Sequence, residues 1–359
     1  MSEDCLKLTI YFGERDRTSG RFLADRLLDI CEEHRLRLSL LTRGVEGFGV
    51  KHHLHTDRLL TLSEDLPLVA VAVDRRPRIE AALARIDELS FDGLVTLERA
   101  RLLDGRSDPG PVLGAINGAA KLTLYLGRGA RTGGRPPHES AVDMLRRGGL
   151  DGATVLLGID GTLRGARRRA RFFSANAEVP VMVISTGPSG LIGRVIPELR
   201  AALDQPLMTL ERVQVLKRDG EIVADLEQLP DSDERGMSLW RKLMLYSSEQ
   251  ARFGGHPVHV EAIRRLRREG APGATALRGV WGFDGLHHPH GDAFWRLRRS
   301  VPTLTVVVDA PSRSRRWLAV LDEITPERGL ITSEVVPAFR ATGPDIRHGG
   351  LRLANRREG

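Results

Sequence analysis

Residues 6–12 alternate apolar and polar side chains and favour β-prone types, which predicts a strand. Over 21–34 the apolar positions Phe22, Leu23, Leu27, Leu28 and Ile30 fall at helical spacing. Residues 36–42 return to a strand pattern, and a glycine-rich stretch from Gly44 to about Asp57 interrupts it. Residues 66–73 are almost continuously apolar and open on Pro67, which a strand tolerates at its first position. A second amphipathic helix is predicted over 77–89, with Pro77 at its start, and a last strand over 94–102. The order βαββαβ is that of a ferredoxin-like split βαβ unit.

The pattern then returns twice. Lys7-Leu-Thr-Ile-Tyr11 is followed at offsets of 114 and 121 residues by Lys121-Leu-Thr-Leu-Tyr125 and Lys242-Leu-Met-Leu-Tyr246, which together hold all 3 tyrosines. At the same offsets Arg17 meets Arg131 and Arg252, and Gly20 meets Gly134 and Gly255. Gly44 meets Gly158 and Gly279, and Gly47 meets Gly161 and Gly282. After a slip of one residue Pro67 meets Pro180 and Pro302, and Glu98 meets Glu211 and Glu334. Strands are expected near 121–127, 153–159, 180–186 and 207–215, and again near 242–247, 274–280, 302–309 and 330–338. The chain therefore divides into repeats at 1–103, 119–216 and 237–340, linkers at 104–118 and 217–236, and a loose basic tail at 341–359. The fold class is α+β. Each unit leaves part of its sheet bare, so the three are expected to cover one another as an intramolecular pseudo-trimer, and the chain to be monomeric.

Composition narrows the function classes. The 359 residues carry a net charge of +7, most of it from arginine, which favours anionic ligands or partners. The same arginine usage also fits a GC-rich genome, so local clusters say more than the total. No apolar run approaches the roughly 18 residues that span a bilayer. The first residues lack the order of a secretion signal, and Cys5 and Cys31 suit neither a disulfide framework nor a zinc site. A cytoplasmic protein is expected. Aromatics make up 5% of the chain, too few for a nucleic-acid stacking platform. No hydrolase triad, zinc-protease or paired-carboxylate pattern occurs, so the expectation is no enzyme and no cofactor.

The candidate chemistry lies in the loops after each second strand, at 44–57, 158–171 and 279–292. Gly44/Gly47, Gly158/Gly161 and Gly279/Gly282, with Gly49, either expose backbone amides to a ligand or only turn the chain. His52, His53 and His55 match His287, His288 and His290, whereas repeat 2 has Ala166, Arg167 and Arg169 there. Imidazoles suit a transition metal, but the change to arginine abolishes ligation and keeps anion attraction and hydrogen-bond donors, so an anion-facing or partner-facing loop, or a merely solvated one, fits all three copies better than a metal. Arg17, Arg131 and Arg252, ahead of Gly20, Gly134 and Gly255 and the first helix, suit either an anion site or plain solvation. Gly187-Pro-Ser-Gly-Leu-Ile-Gly193 lacks the Lys-Ser/Thr ending of a phosphate loop and reads as a strand-to-helix link. Glu98, Glu211 and Glu334 lie opposite the core-facing positions of the last strand, where an interface ion pair is expected.

Repeat 1 combines Arg43-Gly-Val-Glu-Gly-Phe-Gly49, His52-His-Leu-His-Thr56, Leu62-Ser-Glu-Asp-Leu-Pro67 and Gly93-Leu-Val-Thr-Leu-Glu98. This run closely resembles the PII-like family known as domain of unknown function 190, and repeats 2 and 3 look like diverged copies. The resemblance implies a signalling protein that binds ligands, adenine nucleotides in PII itself, between neighbouring modules. It implies contact with a target protein through the loop after the second strand. A membrane transporter, specifically a fluoride exporter, is the partner that family association suggests. The alternative is a metal-binding tolerance protein using the loop histidines.

Overall fold

The computed structural model describes residues 3–49, 54–56, 65–103, 110, 114, 116, 118–129, 131–163, 166–169, 179–204, 206–234, 236–284, 290–291, 301–342, 346–349 and 351. Repeat 1 consists of β1 (Glu3–Gly13), α1 (Leu23–Glu33), β2 (Leu38–Arg43), β3 (Pro67–Arg75), α2 (Arg76–Asp87) and β4 (Gly93–Leu103). Repeat 2 has β5 (Ala119–Gly127), α3 (Pro137–Arg147), β6 (Gly152–Leu157), β7 (Pro180–Pro188), α4 (Ser189–Ala202) and β8 (Leu207–Arg218). Repeat 3 has β9 (Leu239–Ser248), α5 (Val258–Arg268), β10 (Ala274–Arg278), β11 (Pro302–Asp309), α6 (Pro311–Glu323) and β12 (Leu330–Thr342). Within repeat 1 the antiparallel order is β4-β1-β3-β2, and the other repeats reproduce it. These are three ferredoxin-like units.

The units close into a ring through their strands. The start of β4 pairs with the end of β12, the start of β8 with the end of β4, and the start of β12 with the end of β8. A second set of pairings comes from short arms that follow each second strand. Glu46–Phe48 pairs with β10, Asp160–Leu163 with β2, and Trp281–Asp284 with β6. Each repeat thus extends the sheet of one neighbour and receives an arm from the other, a pseudo-threefold arrangement.

The conserved spacing of glycine and proline becomes intelligible at these joints. The amides of Gly44, Gly158 and Gly279 donate to the carbonyls of Pro67, Pro180 and Pro302 at 2.7, 3.1 and 2.8 Å. The next amide in each case crosses to a neighbour, reaching Ala276, Leu41 or Val155 at 2.8–2.9 Å. The second glycine of each pair then lies against neighbouring backbone. A methyl carbon on Gly161 would come within 2.3 Å of the Ser39 carbonyl oxygen, and one on Gly282 within 2.1 Å of that of Ala153. Only glycine permits that approach.

Among the described residues four hydrophobic cores result. Three lie between helices and sheet, one per repeat, and two of them take an anchor from a neighbour's arm: Phe48 enters the core of repeat 3 and Phe283 that of repeat 2. The fourth lies on the opposite faces of the sheets and unites residues of all three repeats, among them Leu40, Tyr125, Leu156, Trp240 and Val306. Burial on both faces explains why strands such as β3 and β11 read as nearly unbroken apolar runs. Two details depart from the sequence reading. Lys217 and Arg218, assigned to a linker, extend β8, and Lys217 is buried in an ion pair with Asp322. The tail, expected to be loose, turns back so that Ile346–Gly349 pairs with β12, and Gly349 packs closely on Trp240.

Candidate functional site

Two sites emerge from this arrangement, one on the axis and one in a cleft. The lysines of the Lys-x-x-x-Tyr repeats stand directly across from the glutamates of the last strands: Lys7 from Glu98, Lys121 from Glu211 and Lys242 from Glu334. Closing the pseudo-trimer brings all six together. Lys7 Nζ lies 2.9 Å from Glu98 and 3.2 Å from Glu211. Lys121 contacts Glu211 and lies 2.6 Å from Glu334. Lys242 lies 2.9 Å from Glu98 and 3.8 Å from Glu334. Every lysine therefore bridges its own repeat to the next, in a closed ring of alternating sign. All six residues are buried. Thr9 and Thr96 hydroxyls donate to Glu98 at 3.1 Å and complete its surroundings.

Burial disfavours charge on these groups, but the opposite charges outweigh it. The Lys7 ammonium loses by burial yet is held well above its ordinary value by Glu211 and Glu98. The Glu98 carboxyl, raised by burial, is brought well below its ordinary value by Lys242, Lys7 and Lys121. Glu211 is lowered in the same way by Lys121 and Lys7. Burial pushes the Tyr11 hydroxyl up to about 12. Oxygens of the three glutamates approach within 4.8 Å of one another, a spacing that suits a metal ion. Three interleaved ammonium groups already balance their charge, so the cluster lacks the negative surplus that attracts a cation. The interface ion pair expected of these glutamates is present, in triplicate.

The second site is a cavity of about 230 Å³ between repeats 1 and 3. Tyr11, Phe12 and Phe48 line it from repeat 1, and Trp240, Val306 and Val308 from repeat 3. Asp16, Asp65 and Asp92 of repeat 1 and Arg340 of repeat 3 supply its charge. Asp16 Oδ2 accepts the Gly13 amide at 2.7 Å, and Asp65 Oδ1 accepts the Arg15 amide at 2.6 Å, so both carboxylates are fixed by backbone. Arg340 is half-buried, and its Nε is buried without a hydrogen-bond partner. Burial lowers its pKa from the ordinary guanidinium value, with Asp309 opposing that and Arg313 adding to it.

Matching the three parts of the chain against known families gives one answer. The DUF190 model, described as "Uncharacterized ACR", matches residues 5–102, 119–215 and 240–338, most of the chain. The chain belongs to the DUF190 family. A UPF0166 protein of Aquifex aeolicus is 30% identical over 95 residues, which cover 26% of this chain and 88% of that relative. A UPF0166 protein of Methanocaldococcus jannaschii is 32% identical over 89 residues, 25% of this chain and 82% of the relative. Each relative thus corresponds to about one repeat, and this DUF190 chain joins three. None of its described helices is long and apolar enough to cross a membrane.

The residues singled out from sequence fall in different places. Gly44, Gly47, Gly158, Gly161, Gly279 and Gly282 sit at the strand-exchange joints, and Gly49 lines the cavity. Arg17 donates to the Gly20 carbonyl at 2.9 Å and stacks over Phe22, and Arg252 donates to Glu249 O at 2.7 Å, all on exposed turns. Arg131, Gly134 and Gly255 occupy the corresponding turns. Arg167 lies in a short strand whose side chains are not described, and His52, with most of the other loop histidines, lies outside the described residues. Gly187–Gly193 is the link from β7 into α4. The cavity residues Asp16, Asp65, Asp92, Trp240 and Arg340 escaped sequence reasoning, which searched for identities between repeats. The useful signal was a difference. Where repeat 1 has Asp16, Asp65 and Asp92, repeat 2 has Ala130, Glu178 and Gln205, and repeat 3 has Ala251, Ser300 and Arg328.

Proposed function

We propose that this DUF190 protein is a non-catalytic, PII-like regulatory protein that binds a small ligand in the cleft between repeats 1 and 3. The observation that carries this reading is the cavity itself, walled by aromatic side chains and a few fixed charges. Such a combination is what ligand sites offer. Phe48 and Gly49, at the end of the repeat 1 arm, form part of the wall, so occupancy acts on the segment that leads into residues 50–57. That segment is the surface through which a partner protein would read the bound state, a membrane transporter being the partner the family resemblance suggests. An adenine nucleotide is the ligand suggested by the same resemblance, although three aspartates face the site. The metal-binding alternative rests on the loop histidines, most of which lie outside the described residues, and the buried glutamate trio is balanced by lysines.

A thermal-shift screen of the full chain against nucleotides and small metabolites tests the proposal. A ligand present at 100 times its Kd adds about 2.7 kcal/mol, a shift of several degrees. The same ligand should lose its effect when Trp240 is replaced by Ala. A ligand whose effect is untouched by that change binds elsewhere and defeats the assignment of the cleft.

A further inference from the structure

The cavity carries both acidic and basic side chains. A methyl carbon on Gly13 would lie 2.9 Å from Asp65 Oδ2 and 3.3 Å from Asp16 Oδ1, so these two carboxylates converge on one spot. Asp92 belongs to the same repeat 1 wall. Arg340 stands on the repeat 3 wall, paired across the joint with Leu94, two positions beyond Asp92. A basic group therefore adjoins the acidic wall, and Tyr11, Phe48, Trp240 and Val306 supply apolar wall around them. The volume of about 230 Å³ lies below the roughly 300–1,000 Å³ of sites that engulf drug-sized molecules, which favours a small ligand. A polyanion would also have to pass three carboxylates.

We propose that this cavity takes a small zwitterion of the amino-acid type, its ammonium toward Asp16, Asp65 and Asp92, its carboxylate toward Arg340, and its side chain against Trp240 and Phe48. The proposal rests on the reading of the cleft as a ligand site. It gives the half-buried Arg340 guanidinium an anionic partner, and an ammonium group beside aromatic faces gains further attraction. It also implies one site per chain. The aspartate trio occurs only in repeat 1, and the counterparts of Trp240 two residues before the ring lysines are Cys5 and Ala119.

Isothermal titration of the full chain with leucine and phenylalanine, with their amides, with the matching acids that lack the amine, and with ATP tests this. One zwitterion should bind at one per chain. The amide and the des-amino acid should each bind at least about tenfold more weakly, because each leaves one pole unpaired. Asp92→Asn and Arg340→Met should each weaken the zwitterion by about tenfold with melting temperature unchanged, and Arg340→Met should erase the preference over the amide. An amide that binds as well as its amino acid overturns the proposal, and this comparison needs no variant. If ATP binds and the zwitterions do not, the zwitterion is wrong and the ligand site stands. If neither class binds, both readings fall.

Discussion

The axis and the cleft show opposite treatments of one triplicated sequence. On the axis all three copies are kept: three lysines, three glutamates and six ion-pair contacts of alternating sign. In the cleft between repeats 1 and 3 the wall carries Asp16, Asp65, Asp92 and Trp240, which the other copies lack. Residues that hold the assembly together must agree in every repeat, because each bridges its own repeat to the next. Residues that meet a ligand are free to differ once a single chain contains all three repeats. Fusion therefore permits one specialised cleft inside a symmetric frame, which identical subunits of a homotrimer cannot do.

The sharpest way to break the comparison is to unbalance the axis. Glu98→Gln leaves Lys7 and Lys242 short of a counter-charge in a buried ring, and should cost about 3–5 kcal/mol, read from the urea midpoint. A loss under about 1 kcal/mol would mean that the ring does not hold the repeats together. The arms come next. Phe48→Ala empties an anchor in the core of repeat 3 and should cost about 3 kcal/mol. Gly161→Ala, which forces a methyl group onto the Ser39 carbonyl, should cost about 1–3 kcal/mol, whereas Gly49→Ala meets open space and should leave stability unchanged. Equal effects at the two glycines would defeat the account of the joints.

Titration sharpens the same contrast. Glu98 and Glu211 are lowered from 4.5, so their contribution is complete above that pH and is lost as acid protonates them. Lys7 is raised from 10.5 and Tyr11 from 10.0 to about 12, so their contributions are complete below pH 10 and are lost as pH rises through the folded values. Stability should fall at both extremes, and Lys7→Met with Glu98→Gln should flatten both limbs. The smallest effect belongs to the cleft: Asp92→Asn should change stability by less than about 0.5 kcal/mol while it changes ligand binding. A larger loss would make the cleft structural like the axis. Sedimentation should find one chain per particle, since each chain already closes its own ring.

The fold was legible because its signals are local and repeated three times. Alternation over 6–12, helical spacing over 21–34 and the apolar run from Pro67 each identified an element, and the observed strands and helices agree to within a few residues. The glutamates could be placed opposite the core from their parity with Leu97. What could not be read was which residues meet across a joint. Glu98 and Lys242 are 144 positions apart, and no local pattern links them. The glycine pairs were visible, but the carbonyls of a neighbouring repeat that they accommodate were not. The cleft stayed hidden for a different reason. Its aspartates sit at loop positions with no periodicity, and Arg340 falls at the very end of the last repeat, where the pattern gives out.

The circular order of the arms also sets an order in time. The repeat 2 arm adds to β2 of repeat 1, and the repeat 3 arm to β6 of repeat 2, so each can dock on a module the ribosome has already released. The repeat 1 arm is the exception, because its place beside β10 does not exist until repeat 3 has been made. The last joint to close thus spans more than two hundred residues and is the slowest by loop-closure entropy. That seam is where the cavity lies, so a ligand that grips both of its walls would clasp the newborn chain at the one place where its first and last modules must find each other.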